Sequence, residues 1–353
     1  MNSSKTVFVG LSGGVDSSVA ALRLQKQGYT VVGVFIKVWH PDFMVCNWEQ
    51  ERLDAMRVAA HLGIPFLTCD AEAEYRDQVA HFFIAEYRAG RTPNPDVMCN
   101  QQVKFGAFLR FAQEQGADYI ATGHYAQRIE GETGPELHRG VDTNKDQTYF
   151  LWTLTAEQLA YTLFPVGDSP KDTIRREAHA AGIPTAQKKD SQGICFLGHI
   201  DIPEFLSHYI DLTPGDVLNE AGEIIGEHTG VFVYTIGQRH GFTLHTINDE
   251  RTPMFVISKD TEQNTITVGT AAQMHETADA LELHSTCLRQ PIRVGEIVTA
   301  QIRYRQTPFS VTVGDSNDDR LVVTPVESIQ RPAVGQSCVL YRGSLCIGGG
   351  ILL

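Results

Sequence analysis

The periodicity of the chain changes once, near Thr213, and that single change excludes one uniform architecture for the whole molecule. Before it, short β-branched runs alternate with amphipathic stretches, the pattern of a parallel sheet covered by helices. Strands are expected at 6–10, 30–36, 65–69 and 118–122, and helices at 17–27, 48–61 and 72–88, with Gly28, Gly63 and the Pro-rich stretch 92–95 as stops. Ser169, Pro170 and Asp172 read as N-cap, first-turn proline and early acid of a helix that halts at Gly182. One more helix is expected at 202–209. After Thr213 the chain alternates Val, Ile and Thr between turn pairs such as Pro214-Gly215 and Ala221-Gly222, so the remainder is expected to be all β. A second break near 270–279 divides it. The fold class is therefore α/β: an N-terminal doubly wound parallel-sheet domain over 1–211, followed by two small all-β domains, a central one over 212–273 and a barrel-like one over 274–353.

The 353 residues suffice for two or three cores. No run approaches the roughly 18 to 20 apolar residues that a membrane helix needs, and MNSSKTVFVG turns directly into a strand without a signal-peptide pattern. A cytoplasmic protein without a membrane partner is expected. Seven cysteines spread over the chain with no C-x-x-C argue for reduced thiols and against a disulfide scaffold, structural zinc or a thioredoxin-like pair. The net charge of -13 does not itself favour nucleic acid, because phosphate contacts rest on Lys and Arg. The acid is uneven: residues 1–199 carry 19 Lys and Arg against 23 Asp and Glu, residues 200–353 carry 10 against 19. An RNA partner would have to be held by local basic patches.

Residues 10–18, GLSGGVDSS, stand between an expected strand and an expected helix. Gly10, Leu11, Ser12, Gly13, Gly14, Val15, Asp16 and Ser17 thus bring glycine-freed amides and hydroxyls to a helix N-terminus, a place that binds anions. The loop lacks the Lys of G-x-x-x-x-G-K-[ST] and the third glycine of G-x-G-x-x-G. SGG-x-DS is instead the pyrophosphate-loop pattern of enzymes that split ATP to AMP and pyrophosphate. The competing reading is a plain strand-to-helix turn with Asp16 and Ser17 as caps. Ile36 and Gly123, at the ends of the second and fourth expected strands, fall where a nucleotide would lie at the carboxyl edge of such a sheet; for Ile36 a core role is equally compatible.

Two cysteines sit in polar, Pro- or Gly-bearing segments. RTPNPDVMCNQQVKF places Asp96 and Cys99 in a stiffened loop ahead of a helix, and KKDSQGICFLG places Cys195 in a second loop. Lys104 lies near the first thiol and Lys188 and Lys189 near the second in sequence, and nearby cations favour the nucleophilic thiolate. Cys46, Cys69, Cys287, Cys338 and Cys346 read as core residues.

SGGVDSS, RTPNPDVMCN, ATGHYA, KDQTYFL and DSQGICF, in this order, resemble the bacterial tRNA-specific 2-thiouridylases over essentially the whole chain. GQRHG at 237–241 and IRYRQ at 302–306 extend the likeness into the β half. The resemblance implies a pyrophosphate-loop enzyme that uses ATP, with its Mg2+, as substrate to adenylate the C2 oxygen of the wobble uridine. A persulfide then displaces AMP. It assigns the persulfide to Cys195, to Cys99 the role of second thiol, which attacks the persulfide to release its terminal sulfur or takes up a disulfide with Cys195, and to Asp96 a general acid or base role. Asn94, Pro95 and Asp96 would line the flipped base. Lys145, Asp146 and Gln147, with Arg303 and Tyr304, would touch tRNA, where the residues alone read as a turn before a helix and a solvated strand pair. A persulfide sulfur-donor protein is the implied second partner, and neither a prosthetic group nor a resident metal is expected. The family often has T-G-I-C and M-K-N-W where this chain has Gln192-Gly193-Ile194-Cys195 and Ile36-Lys37-Val38-Trp39.

Other readings are another pyrophosphate-loop ligase or amidotransferase, which would need no thiols; a thiolase holding an iron-sulfur cluster on Asp96, Cys99 and Cys195; and a non-catalytic tRNA- or nucleotide-binding module.

Overall fold

The computed structural model describes residues 5–44, 48–190, 201–245, 252–274, 277–317 and 319–353. Seven strands belong to the first part of the chain: β1 Thr6–Gly10, β2 Thr30–Lys37, β3 Phe66–Asp70, β4 Tyr119–Ala121, β5 Ala126–Gly131, β6 Gly134–Arg139 and β7 Thr162–Leu163. Five of them form a parallel sheet in the order β3-β2-β1-β4-β7. Because side chains alternate across a strand, Val7 and Val9 pack with Val31 and Phe35 against helix α1 (Val15–Lys26) and helix α2 (Trp48–Leu62). Phe8, Val34, Ile36 and Ile120 face the opposite layer. That layer contains the helical run from Pro95 to Glu114, α-helical at both ends with wider π-type turns over Asn100–Ala107. Both faces are covered, as the near-continuous apolar strands require. The strand order reverses direction between β1 and β4, which opens a crevice beyond their carboxyl ends.

The hairpin β5–β6 leaves this sheet. Its β6 edge pairs with the final strand of the chain at Leu345↔His138, and Arg139 N–H bonds to Ser344 O at 2.8 Å. Six strands, Leu281–Leu288, Ile297–Gln301, Phe309–Ser316, Arg320–Pro325, Ser337–Arg342 and Leu345–Leu352, close into a barrel when the first pairs with the last. Closure explains the glycine run near the C-terminus: a Cβ on Gly348 would stand 1.9 Å from Cys287 O, and one on Gly349 2.4 Å from Cys338 O. Arg289 straps the barrel to the first domain by donating to Trp152 O and Leu154 O at 2.7 Å each and to Cys346 O at 2.9 Å.

Between them lies a five-stranded sheet ordered Phe242–Leu244, Ile224–His228, Gly215–Leu218, Thr265–Gly269, Phe255–Asp260. Its core is shared: Phe83, Ile84 and Tyr87 of helix His81–Arg88 pack with Phe205, Leu206, Val217, Val233 and Val256. Among the described residues no helix is long and apolar enough to cross a membrane.

Three local expectations are corrected. Cys99 is not in a loop: Asn94 caps a helix by accepting from Val97 N at 3.3 Å, Pro95 is its first residue, and Cys99 lies inside it. The proline taken for a loop stiffener is a helix starter, its missing N–H costing nothing in the first turn. The cap at 169–172 is displaced by one, since Pro170 is the N-cap, the helix is Lys171–Ala180, and Lys171 N–H is satisfied by Asp142 Oδ2 at 3.0 Å instead of by Ser169. Arg303 and Tyr304 lie in a turn beyond strand Ile297–Gln301, where Arg305 takes φ +62°.

Candidate active site

The glycine-rich loop leaves β1 at the crevice. Leu11 N–H still bonds to Val34 O at 2.7 Å, after which Gly13, at φ +69°, turns the chain against α2, where a Cβ would come within 2.7 Å of Asp54 Cβ and 3.0 Å of Glu51 O. Gly14 is the N-cap of α1 with no side-chain cap bond. Asp16 and Ser17 therefore do not cap it. Ser17 and Ser18 donate back to Gly14 O at 3.3 and 2.7 Å, and Ser12 Oγ accepts from Gly14 N at 3.3 Å. Gly10 borders Ile36 and Phe108, whose side chains would stand 3.7 and 3.6 Å from an added Cβ. Gly123 presses on the start of α1, where its Cβ would meet Ser17 N at 2.7 Å and Asp16 C at 2.8 Å. Gly10 to Ser17, Ile36 and Gly123 are thus brought together at one sheet edge.

Around Asp16 stands a set of charged groups that the sequence did not single out as a unit. Lys171 Nζ donates to both Asp16 oxygens at 2.6 and 2.8 Å and lies 2.9 Å from Asp190 Oδ1; Tyr125 Oη donates to Asp16 Oδ1 at 2.8 Å. Asp190 also receives Lys145 at 2.6 Å and Arg175 at 2.5 Å. Burial pushes its pKa up, yet hydrogen bonds and charge from Lys145 and Lys171 prevail and hold it at about 2. Burial and the neighbouring Asp16 carboxylate push the Tyr125 phenol well above its ordinary value. Nearby, Lys188 pairs with Asp54 at 2.9 Å. His124, bonded to Thr122 Oγ1 at 2.8 Å, is held neutral by burial and then by the charge of Lys104.

Cys99 is 1% exposed in the core on the other face of the sheet. Asp96, three residues earlier, shares its helix face. Asn94 and Pro95 open that helix, and the preceding segment is held by both β domains: Thr92 Oγ1 bonds to Thr235 Oγ1 at 2.8 Å, Thr92 N to Val334 O at 3.1 Å, and Gln336 Nε2 to Thr92 O at 2.7 Å. Cys195 lies outside the described residues, as does Cys46.

The five positions expected at tRNA divide. Asp146 is buried, paired to Arg139 at 2.7 Å and accepting from Gly140 N and Thr148 N. Gln147 clasps Tyr125, its N–H bonding to Tyr125 O and its Oε1 accepting from Tyr125 N. Lys145 faces Asp190. The Tyr304 ring packs at a tilt against Phe150, with centroids 4.7 Å apart, and Arg305 Nε bonds to Asn144 O at 3.0 Å, so the Arg303–Tyr304 turn borders the 144–150 segment. Lys171, Tyr125, Asp190 and Arg175 escaped sequence reasoning; the one local signal was the presence of Tyr125 in TGHYA and of Asp190 in KKDSQ.

Family models match the chain in three consecutive pieces: a tRNA methyl transferase HUP domain over residues 5–199, a tRNA methyl transferase PRC-barrel domain over 203–270 and an aminomethyltransferase beta-barrel domain over 280–352. The tRNA-specific 2-thiouridylase MnmA of Enterococcus faecalis is 46% identical over 360 residues, covering 99% of this chain and 96% of its own length. The chain belongs to the tRNA-specific 2-thiouridylase family. The protein of the same name from Escherichia coli K12 is likewise 46% identical, over 359 residues, with the same coverage. The match spans the first domain and both β domains, so membership in this family extends to the whole architecture and is not confined to the glycine-rich loop.

Proposed function

We propose that this protein is a tRNA-uridine 2-sulfurtransferase that 2-thiolates the wobble uridine of tRNA at the expense of ATP. The observation that carries the reading is 46% identity to tRNA-specific 2-thiouridylases across 99% of the chain. The C2 oxygen of the uracil attacks the α-phosphorus of ATP; the α–β bridging bond breaks and pyrophosphate leaves with its electrons. The uncapped N-terminus of α1 and the loop amides favour the negative charge there. Mg2+ enters with ATP and needs one or two carboxylates besides phosphate oxygens, which Asp16 can supply together with Asp190.

In the second half-reaction the terminal sulfur of a Cys195 persulfide bonds to C2, and AMP departs with the former C2 oxygen. Cys99, as thiolate, attacks the inner sulfur. The sulfur–sulfur bond breaks, sulfur stays on the base, and a Cys99–Cys195 disulfide forms that a dithiol reductant must reopen. Asp96, on the helix face of Cys99, acts as the proton-handling group, and Asn94 and Pro95 border the extruded base. Arg303 and Tyr304, beside Lys145, offer the RNA a cation and an aromatic face. Because Cys99 is buried, this scheme requires RNA binding to uncover it.

The test is mass analysis of purified Cys99→Ser and Cys195→Ser proteins loaded by a persulfide donor protein and supplied with ATP and tRNA. Both variants are expected to release pyrophosphate and neither to make 2-thiouridine. Before ATP and tRNA are added, loaded Cys99→Ser should carry an extra sulfur of about 32 mass units at Cys195, and with them it should be trapped as a thiol-cleavable adduct of Cys195 with tRNA; sulfur found on Cys99 in the Cys195→Ser protein would reverse the roles.

A further inference from the structure

The nucleotide loop has no lysine, but the fold places one at its mouth from 155 residues downstream. We infer that Lys171 is the pyrophosphate-binding lysine of this enzyme, reaching the β- and γ-phosphates from a second helix and steadying the charge of the leaving pyrophosphate. The inference rests on the ATP-cleaving function proposed above and assigns that function a residue.

Lys171 is 8% exposed, and a lysine that deep is held by a specific partner or is there for its charge. Its partners are the two carboxylates that line the start of α1, Asp16 at 2.6 Å and Asp190 at 2.9 Å. Asp190 in turn gathers Lys145 and Arg175, so three cations converge on two carboxylates beside the uncapped helix end. A polyanion entering this place finds the loop amides on one side and three cations on the other, and Lys171 can exchange Asp16 for phosphate by rotating its flexible stem.

The helix that carries it is fixed relative to the loop. Arg23 of α1 donates to Glu177 at 2.9 and 2.6 Å, to Asp168 at 2.7 Å, to Ser169 Oγ at 2.8 Å and to Pro165 O at 2.9 Å, all on or just before helix Lys171–Ala180. Five bonds from one guanidinium hold the two helices in register. Lys171 N–H is further tied to Asp142. The opposed view is that Lys171 only neutralises Asp16 for the sake of the fold.

Pyrophosphate and AMP binding, measured by calorimetry in chelator without metal, separate the two views on the intact protein. Lys171→Met should weaken pyrophosphate roughly 10- to 100-fold, the loss of one or more charge-assisted bonds, while AMP changes less than about twofold. Lys171→Arg should restore most of the affinity. Asp16→Asn, which removes the competing carboxylate and keeps the lysine, should tighten pyrophosphate binding, and adding Lys171→Met to it, which leaves Asp16 with no charge to bury, should abolish that gain; comparing these two variants decides the matter even if Lys171→Met alone does not fold, an equal gain in both overturning the inference. Unchanged pyrophosphate affinity in folded Lys171→Met, or no tightening in Asp16→Asn, overturns the inference. Failure of the wild-type protein to release pyrophosphate from ATP with tRNA present would instead overturn the proposed function, whatever Lys171 does.

Discussion

Gly123→Ala isolates how closely β4 must approach α1 for the nucleotide loop to form. Gly123 has no positive φ, so the substitution introduces no left-handed strain and its effect is purely steric. The added Cβ would stand 2.7 Å from Ser17 N, 2.8 Å from Asp16 C and 3.0 Å from Asp16 Cβ. The first two are main-chain atoms at the start of a helix, so no rotamer change relieves the contact. Reaching ordinary van der Waals separation requires a shift of about 0.7 Å between the strand end and α1. Overpacking of that kind costs roughly 1–3 kcal/mol. The same shift displaces Asp16 and the loop amides from their working positions, and since about 1 Å of misplacement can cost 10²-fold in rate, the turnover of ATP should fall about tenfold or more.

Urea denaturation reads the first effect as a lower midpoint at unchanged slope, and tRNA-dependent pyrophosphate release reads the second. Gly116→Ala is the control. It has φ +82° with nothing within 4 Å of the added Cβ, so it should lose roughly 1–2 kcal/mol through backbone strain and retain full turnover. If Gly123→Ala kept both its urea midpoint and its pyrophosphate release, the close approach would not be what shapes the site, and the steric reasoning would be wrong.

Two further outcomes follow from buried charges. Arg289→Met strips three carbonyls, of Trp152, Leu154 and Cys346, of their donor; a loss of roughly 2–4 kcal/mol is expected, and separation of barrel unfolding from that of the first domain should appear as a second calorimetric transition, whereas a single unshifted transition would count against the strap. Lys259, whose Nζ donates to Tyr234 O at 2.6 Å, is lowered by burial to about 8. Its native state therefore sheds a proton that the unfolded chain keeps up to about 10.5, so stability should rise with pH between those values by roughly 2–3 kcal/mol relative to Lys259→Met; parallel pH profiles for the two proteins would refute it.

The β-branched runs at 6–10 and 30–36 and the helix that follows GLSGGVDSS were legible because each depends on neighbours in sequence: β propensity, apolar spacing and a glycine turn. The loop's place at the carboxyl edge of the sheet was legible for the same reason. What escaped was long-range or involved one signal with two meanings. Pro95 is as compatible with a stiff loop as with a helix start, and only the Asn94 cap decides, so Cys99 was placed ahead of its helix instead of within it. The residues of β5 and β6 carry a hairpin pattern, but its docking on a barrel strand more than 200 residues later has no local mark. Phe83, Ile84 and Tyr87 read as an ordinary amphipathic face, whereas the surface they cover belongs to the central domain. Lys171 looked like a first-turn residue; its partner Asp16 is visible only after folding.

The two sheet faces set a geometric problem that any mechanism here must meet. The glycine-rich loop starts α1 on one face and Cys99 lies in the helix on the other, so under the proposed mechanism phosphate and thiol converge only beyond the carboxyl edge. Phe108 supplies the connection: it belongs to the same continuous helical run as Cys99 and borders Gly10 at the loop, with Ile36 beside it. The helical run that carries Cys99 is therefore packed directly against the carboxyl edge of the sheet at Gly10. At its other end the same helix follows Thr92, which both β domains hold by hydrogen bonds. The Thr92 segment thus ties both β domains to the start of the helix that carries Asp96 and Cys99.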